Sequence, residues 1–252
     1  MFRFIVVSAF ISLCTVGSVA QEIGDRYTGP ALNNANQSAR SGERARTRGV
    51  ADGHISITRL REPRKVRRLY QQAMEAWLKH KTAEAVRRLE QALNLYPPFP
   101  EALTFYGGIQ ASLQQWESAE RSLQAAIQSD PSYSPAYAVL AGIYNAQARF
   151  DDAQEAAQQA LSEGADSWDV QYEIARAMIG KKQYETALSV TEAALRSTPH
   201  GSLMHLAKAH ALLGLGRYPQ AVTELRAYLR YQPDSEGSER ARDLLNQIQG
   251  AE

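Results

Sequence analysis

Apolar residues in the stretch from Trp116 to Pro131 recur at helical spacing. Ala119, Leu123, Ala126 and Ile127 stand at i, i+4, i+7 and i+8, which places them on one face of a short helix. Asp130-Pro131 ends it, because proline has no N–H to donate and turns the preceding residue away from helical backbone. The pattern then repeats. Steps of 34 residues from Ala119 land on Ala85, Ala153, Ala187 and Ala221 without a gap. Three residues before these alanines stand Thr82, Trp116, Phe150, Tyr184 and Tyr218; twelve after them stand Pro97, Pro131, Ala165, Pro199 and Pro233. An ungapped period of this length predicts an all-α array in which each unit buries its apolar face against its neighbours.

Each alanine-centred helix is preceded by another with its own packing residues. These are Leu69, Ala73 and Ala76 in the first unit, and Leu103, Tyr106, Gly107 and Gln110 in the second. The third has Tyr137, Leu140, Ala141 and Tyr144, the fourth Ile174, Ala175 and Met178, the fifth Ala209 and Leu212. Alanine or glycine at such slots lets neighbouring helices approach closely. The combined pattern resembles the tetratricopeptide repeat family, whose pattern is Trp-x2-Leu-Gly-x2-Tyr on a first helix, then Ala-x3-Phe, a later Ala and Pro on a second. The resemblance covers about residues 66–233. It implies a right-handed superhelical solenoid of about five helix-turn-helix repeats, at about 66–99, 100–133, 134–167, 168–201 and 202–234. Gln72 and Lys208 stand where leucine is usual, and Tyr228 replaces the later alanine. These departures fall at the two ends, where a repeat lacks a neighbour on one side. Residues 235–249 read as a cap helix completing a domain over 63–250, with Ala241, Leu244, Leu245 and Ile248 on one stripe.

The N-terminal quarter differs. Arg3, the apolar run Phe4 to Leu13 and the small residues Ser18-Val19-Ala20 predict a signal peptide over 1–20 with cleavage before Gln21. Left uncleaved, the same run would be a membrane anchor. Cleavage removes Cys14, the single cysteine, so no disulfide framework is expected. Residues 21–62 read as a disordered basic tether: residues 21–50 show no apolar periodicity and carry Arg40, Arg44, Arg46 and Arg48. Within it, residues 54–60 alternate around Ile55 and Ile57, as a short extended segment would. Charge follows the same division. Residues 1–68 hold 12 Lys/Arg against 5 Asp/Glu, whereas residues 69–252 hold 16 against 22. The expected location is periplasmic or extracellular.

No catalytic constellation stands out. His205 and His210 are five residues apart, off a common helical face, and His-Glu-x-x-His is absent. Neither Gly180-Lys-Lys182 nor Gly214-Leu-Gly216 follows a strand, so neither completes a phosphate-cradling loop. Glycine there is expected to serve the tight turn at the end of a first helix. The expectation is therefore no enzyme, no cofactor and no metal site.

The resemblance implies instead a concave groove lined by the first helices. Its candidate residues, taken at i, i+4 and i+7, include Tyr70, Met74, Trp77, Thr104, Asn145, Tyr172, Arg176, Ile179, His210 and Leu213. The family's carboxylate-gripping version uses Lys, Arg and Asn there, and only Asn145 and Arg176 match that chemistry. An apolar groove suits an extended or helical protein segment with apolar anchors. The sequence thus predicts a protein-binding scaffold or adaptor. Self-association as a structural scaffold, or docking of substrate for an envelope enzyme complex, are the alternatives. A protein or peptide partner is expected, and under the first alternative a homo-oligomer. Without aromatics interleaved among the basic residues, nucleic acid is not expected. Membrane contact is expected only through the signal segment, or weakly through the tether.

Overall fold

The structure is a computed structural model that describes residues 63–165, 168–197 and 201–250. The signal, tether and extended segment expected over 1–62 lie outside the described residues. Among these there are eleven helices and no strand: α1 Arg64–Leu78, α2 Thr82–Leu95, α3 Pro100–Ser112, α4 Trp116–Ser129, α5 Ser134–Ala146, α6 Phe150–Ser162, α7 Trp168–Gly180, α8 Tyr184–Ser197, α9 Ser202–Gly214, α10 Tyr218–Tyr231 and α11 Glu236–Gln249. The alanines at the 34-residue interval all lie in even-numbered helices and are fully buried.

One turn joins the two helices of every pair. His80, Gln114, Ala148, Lys182 and Gly216 follow each other at the repeat interval, and all have left-handed backbone, with φ between 55° and 72°. Each donates its N–H three residues back, as Gln114 does to the Ala111 carbonyl at 2.9 Å; the next residue reaches five back, as Gln115 does to Gln110 at 2.9 Å. This pair of hydrogen bonds satisfies carbonyls that the helix end would otherwise leave unpaired. The second residue of the turn also opens the following helix. Its carbonyl accepts from the repeat alanine, as from Ala119 to Gln115 at 2.9 Å and from Ala187 to Gln183 at 3.0 Å. Of the five left-handed positions only the last is glycine, so the other four carry the steric cost of a β-carbon.

The described chain forms two compact units, 63–139 and 140–250, divided within α5. In the first, α1 packs on α2, α3 on α4, and α2 on α3. Leu89, Phe105, Ile109 and Leu123 are fully buried. A β-carbon on Gly107 would stand 3.0 Å from Leu123 Cγ and 3.2 Å from the Ala119 carbonyl oxygen, so glycine sets how closely α3 and α4 approach.

In the second unit, α7 is covered by α6, α8 and α9, and α10 packs on α9 and α11. The alternation explains the burial pattern. Helices α7 and α9 lie between neighbours and are buried over much of their surface, α7 at Val170, Tyr172, Glu173, Ile174, Ala175, Ala177 and Ile179. Even helices bury one stripe only, α8 at Ala187, Leu188, Thr191 and Ala194. Gly180 and Gly214 correct the expectation that they serve the turn. Each is the last residue of its helix, and an aromatic ring from the preceding pair occupies the space of its missing β-carbon. The left-handed positions of these turns are Lys182 and Gly216.

Candidate functional site

The candidate groove residues divide between the two units. Tyr70, Met74 and Trp77 on α1, and Thr104 on α3, belong to the first. Phe105 gathers two of them: its ring meets Tyr70 edge-on at 6.0 Å between centroids and Trp77 at 6.4 Å. Tyr70 also packs on Phe99 at 5.2 Å, and Met74 lies partly buried against the same core. Thr104 is fully buried, and its hydroxyl has no hydrogen-bond partner among the described residues. On the outer side of this unit the Tyr106 hydroxyl donates to Glu90 at 3.0 Å. Burial, and then the hydrogen bond to Glu90 and its charge, push the Tyr106 hydroxyl above the usual tyrosine range.

In the second unit Asn145, Tyr172, Ile179 and Leu213 are buried, while Arg176 and His210 are partly exposed. Two of the six, Asn145 and Arg176, meet through a residue that the i, i+4, i+7 stripe passes over, and Tyr172 joins them through Arg176. Glu173 on α7 has no solvent exposure at all. Asn145, in the last turn of α5, donates its side-chain amide to the Glu173 carboxylate at 2.8 Å and to the Glu173 carbonyl at 2.9 Å. Arg176, one turn along α7, donates to the two carboxylate oxygens at 2.9 and 3.3 Å. Its guanidinium carbon lies 5.7 Å from the centre of the Tyr172 ring.

A carboxylate taken wholly out of water is costly unless paired and hydrogen-bonded, and here both conditions hold. Arg176, whose side chain keeps 16% exposure, is the member that reaches solvent. The arrangement holds a guanidinium in a fixed place between an aromatic face and a buried anion. The Asn145 side-chain carbonyl oxygen is also buried and has no partner among the described residues. Flipping the amide would not help, since its nitrogen already faces two acceptors. The chemistry on offer is hydrogen-bonding and charge recognition. Glu173 is detectable in the sequence as an opposite charge three residues before Arg176.

Among the described residues no group of three or more His, Cys, Asp or Glu side chains is placed to hold a metal ion, and no helix is long and apolar enough to cross a membrane.

Comparison with known proteins bears on the fold. The tetratricopeptide repeat profile matches residues 76–143, 113–179, 144–209 and 178–248. No curated protein sequence matches the chain. Several solved structures share its architecture at low identity. TTC0263, a thermophilic TPR protein of Thermus thermophilus, is 18% identical with a TM-score of 0.62, over 73% of this chain and 98% of that one. PilW, a type IV pilus biogenesis factor, is 14% identical with a TM-score of 0.66, over 75% of this chain and 87% of its own. A tetratricopeptide repeat protein of Parabacteroides merdae is 13% identical with a TM-score of 0.65, over 93% of this chain and 86% of its own. With the profile matching well over half the chain, and with a helical hairpin recurring at a 34-residue interval, the protein belongs to the tetratricopeptide repeat family.

Proposed function

We propose that the chain is a non-catalytic adaptor that holds a segment of another protein against the odd-numbered helices of its second unit, in an exported compartment. The observation that carries the reading is the cluster of Asn145, Tyr172, Glu173 and Arg176. Burying a carboxylate to fix one arginine costs stability for no structural need that an apolar residue could not meet. A preset polar anchor among apolar neighbours gives a bound segment its register and direction. Family membership supports the adaptor reading, since stacked repeats present extended surfaces for binding. Export rests on the N-terminal residues 1–20 and on the loss of Cys14 with them. Residues 21–62 serve in this reading as the tether that precedes the repeats once residues 1–20 are removed.

Site-specific photocrosslinking in the native cell tests it. A photoreactive residue at position 176 or 210, both in the second unit, should capture one and the same protein. The same probe at Gln124, Gln158 or Arg226, exposed on even-numbered helices, should not. Equal capture from both sets would remove the reading. N-terminal sequencing of the native protein tests export separately: it should begin at Gln21, and a start at Met1 would contradict cleavage.

A further inference from the structure

We propose that the outer face of the first helix pair is an electrostatic contact for an anionic lipid surface. Residues 63–96 hold eight Lys/Arg against three Asp/Glu, whereas residues 97–250 hold 12 against 18. The positive charge of the folded chain is thus concentrated in its first pair. It is also concentrated on one side. Arg64, Arg68, Gln71, Glu75 and Leu78 stand at i, i+4, i+7, i+11 and i+14 of α1, with Lys79 beside them, and all are exposed. The opposite side, with Val66, Tyr70, Ala73 and Ala76, is buried.

A terminal helix needs a polar outer face for solubility, but that need does not select a sign. The other terminal helix shows a mixed solution: α11 combines Glu236, Glu239 and Asp243 with Arg240 and Arg242. Helix α1 instead carries four cations in its first five residues and one anion later. It also exposes Leu78, at 55% the most exposed large hydrophobic residue described, directly beside Lys79 and close in sequence to Lys81. Lys81 and Arg87 then line a shallow concavity with His80 and Glu84. Cations around a protruding leucine fit the boundary between lipid head groups and acyl chains, where charge draws the face in and the apolar side chain enters. The exposed stripe of α1 carries no aromatic ring, so it lacks the stacking platform that single-stranded nucleic acid uses. The six arginines at 40, 44, 46, 48, 59 and 61 extend the same charge into the chain that precedes α1.

The test is co-sedimentation of the full chain with phosphatidylcholine vesicles, with and without phosphatidylglycerol. Reading the difference between the two removes any contribution of the N-terminal apolar run, which does not depend on lipid charge. Binding to the anionic vesicles should be tighter and should be lost at about 1 M salt, where charges are screened within a few ångströms. The variant Arg64→Gln/Arg68→Gln/Lys79→Gln should weaken the anionic increment about a hundredfold, on the basis of roughly fivefold per cation. Arg240→Gln/Arg242→Gln on α11 should leave it in place, and both variants should keep the wild-type helical circular dichroism. Wild-type binding by the α1 variant would overturn the proposal. So would release from anionic vesicles by short duplex DNA at equal charge concentration, which would assign the face to nucleic acid. Loss of partner capture at position 176 would leave this proposal untouched.

Discussion

The ring of Phe150 lies 2.3 Å from the point where a β-carbon on Gly180 would stand. Thirty-four residues on, the ring of Tyr184 lies 2.4 Å from the same point on Gly214. The aromatic residue opens an even-numbered helix, and the glycine closes the next odd-numbered one. Each ring fills the volume its glycine leaves, which fixes the spacing between successive helix pairs. Gly180→Ala should therefore force Phe150 from its place and cost about 1–3 kcal/mol, the range for overpacking a well-filled contact. In a Phe150→Ala background the same substitution should cost far less. Urea denaturation of the four proteins checks it; equal costs in both backgrounds would mean that the ring is not what glycine accommodates.

The turns give a prediction of the opposite sign. Ala148 is exposed, has φ of 58°, and makes its turn bonds through backbone alone. Ala148→Gly removes a steric cost while adding freedom to the unfolded chain, for a net gain of about 0.5–1 kcal/mol. Gly216→Ala, with φ of 72°, should lose about 1 kcal/mol. Thermal melts of both decide it. Destabilisation by Ala148→Gly would show that its backbone is not held in the left-handed region in solution.

Much of this architecture is legible in the residues. The 34-residue step of alanines marks the even helices, and the proline or Asp-Pro after several of them marks where they stop. The turns are less legible, because four of the five left-handed positions hold His, Gln, Ala and Lys, none of which announces such backbone. The helix-terminal glycines mislead for a related reason: Gly180 sits two residues before the position that turns, and a distant ring fixes its identity. The candidate groove is legible as a stripe, but the stripe alone cannot say what is open to solvent. Thr104 lies on it and is wholly buried, since α3 is covered on most sides. Glu173 lies one residue off it and organises the polar cluster, because Asn145 from α5 approaches α7 at that register.

The cluster makes its own prediction about stability. Arg176→Met leaves the Glu173 carboxylate buried without its cation, and should cost about 2–3 kcal/mol, below the figure for a fully buried pair because Arg176 is partly exposed. Adding Glu173→Gln removes the stranded charge while keeping an acceptor for Asn145, so the double variant should recover most of the loss. A double variant no more stable than Arg176→Met would show that packing of the arginine stem, and not its charge, is what α7 needs.

The end of the array holds the last relationship. Tyr228 stands where other repeats have Ala92, Ala126, Ala160 and Ala194, yet it is among the largest fully buried side chains. Its hydroxyl lies 3.1 Å from Ser235 Oγ, and Ser235 Oγ lies 2.7 Å from Ser238 Oγ, which donates in turn to the Gln232 carbonyl. The substitution that looks like a decayed repeat is a dock for α11. Gly237 makes room for it: a β-carbon there would meet the Tyr228 hydroxyl oxygen at 2.4 Å and the ring carbon bearing it at 3.5 Å. Tyr228→Ala should cost about 3–5 kcal/mol, as for other large-to-small core changes, and Tyr228→Phe about 1 kcal/mol for the lost hydrogen bond. Gly237→Ala should cost about 1–3 kcal/mol in the native chain. In the Tyr228→Phe background the nearest atom would be the ring carbon at ordinary contact distance, so Gly237→Ala should there be close to neutral. A double-mutant cycle by urea denaturation measures the coupling directly. Additive losses would mean that α11 is not seated on the Tyr228 hydroxyl.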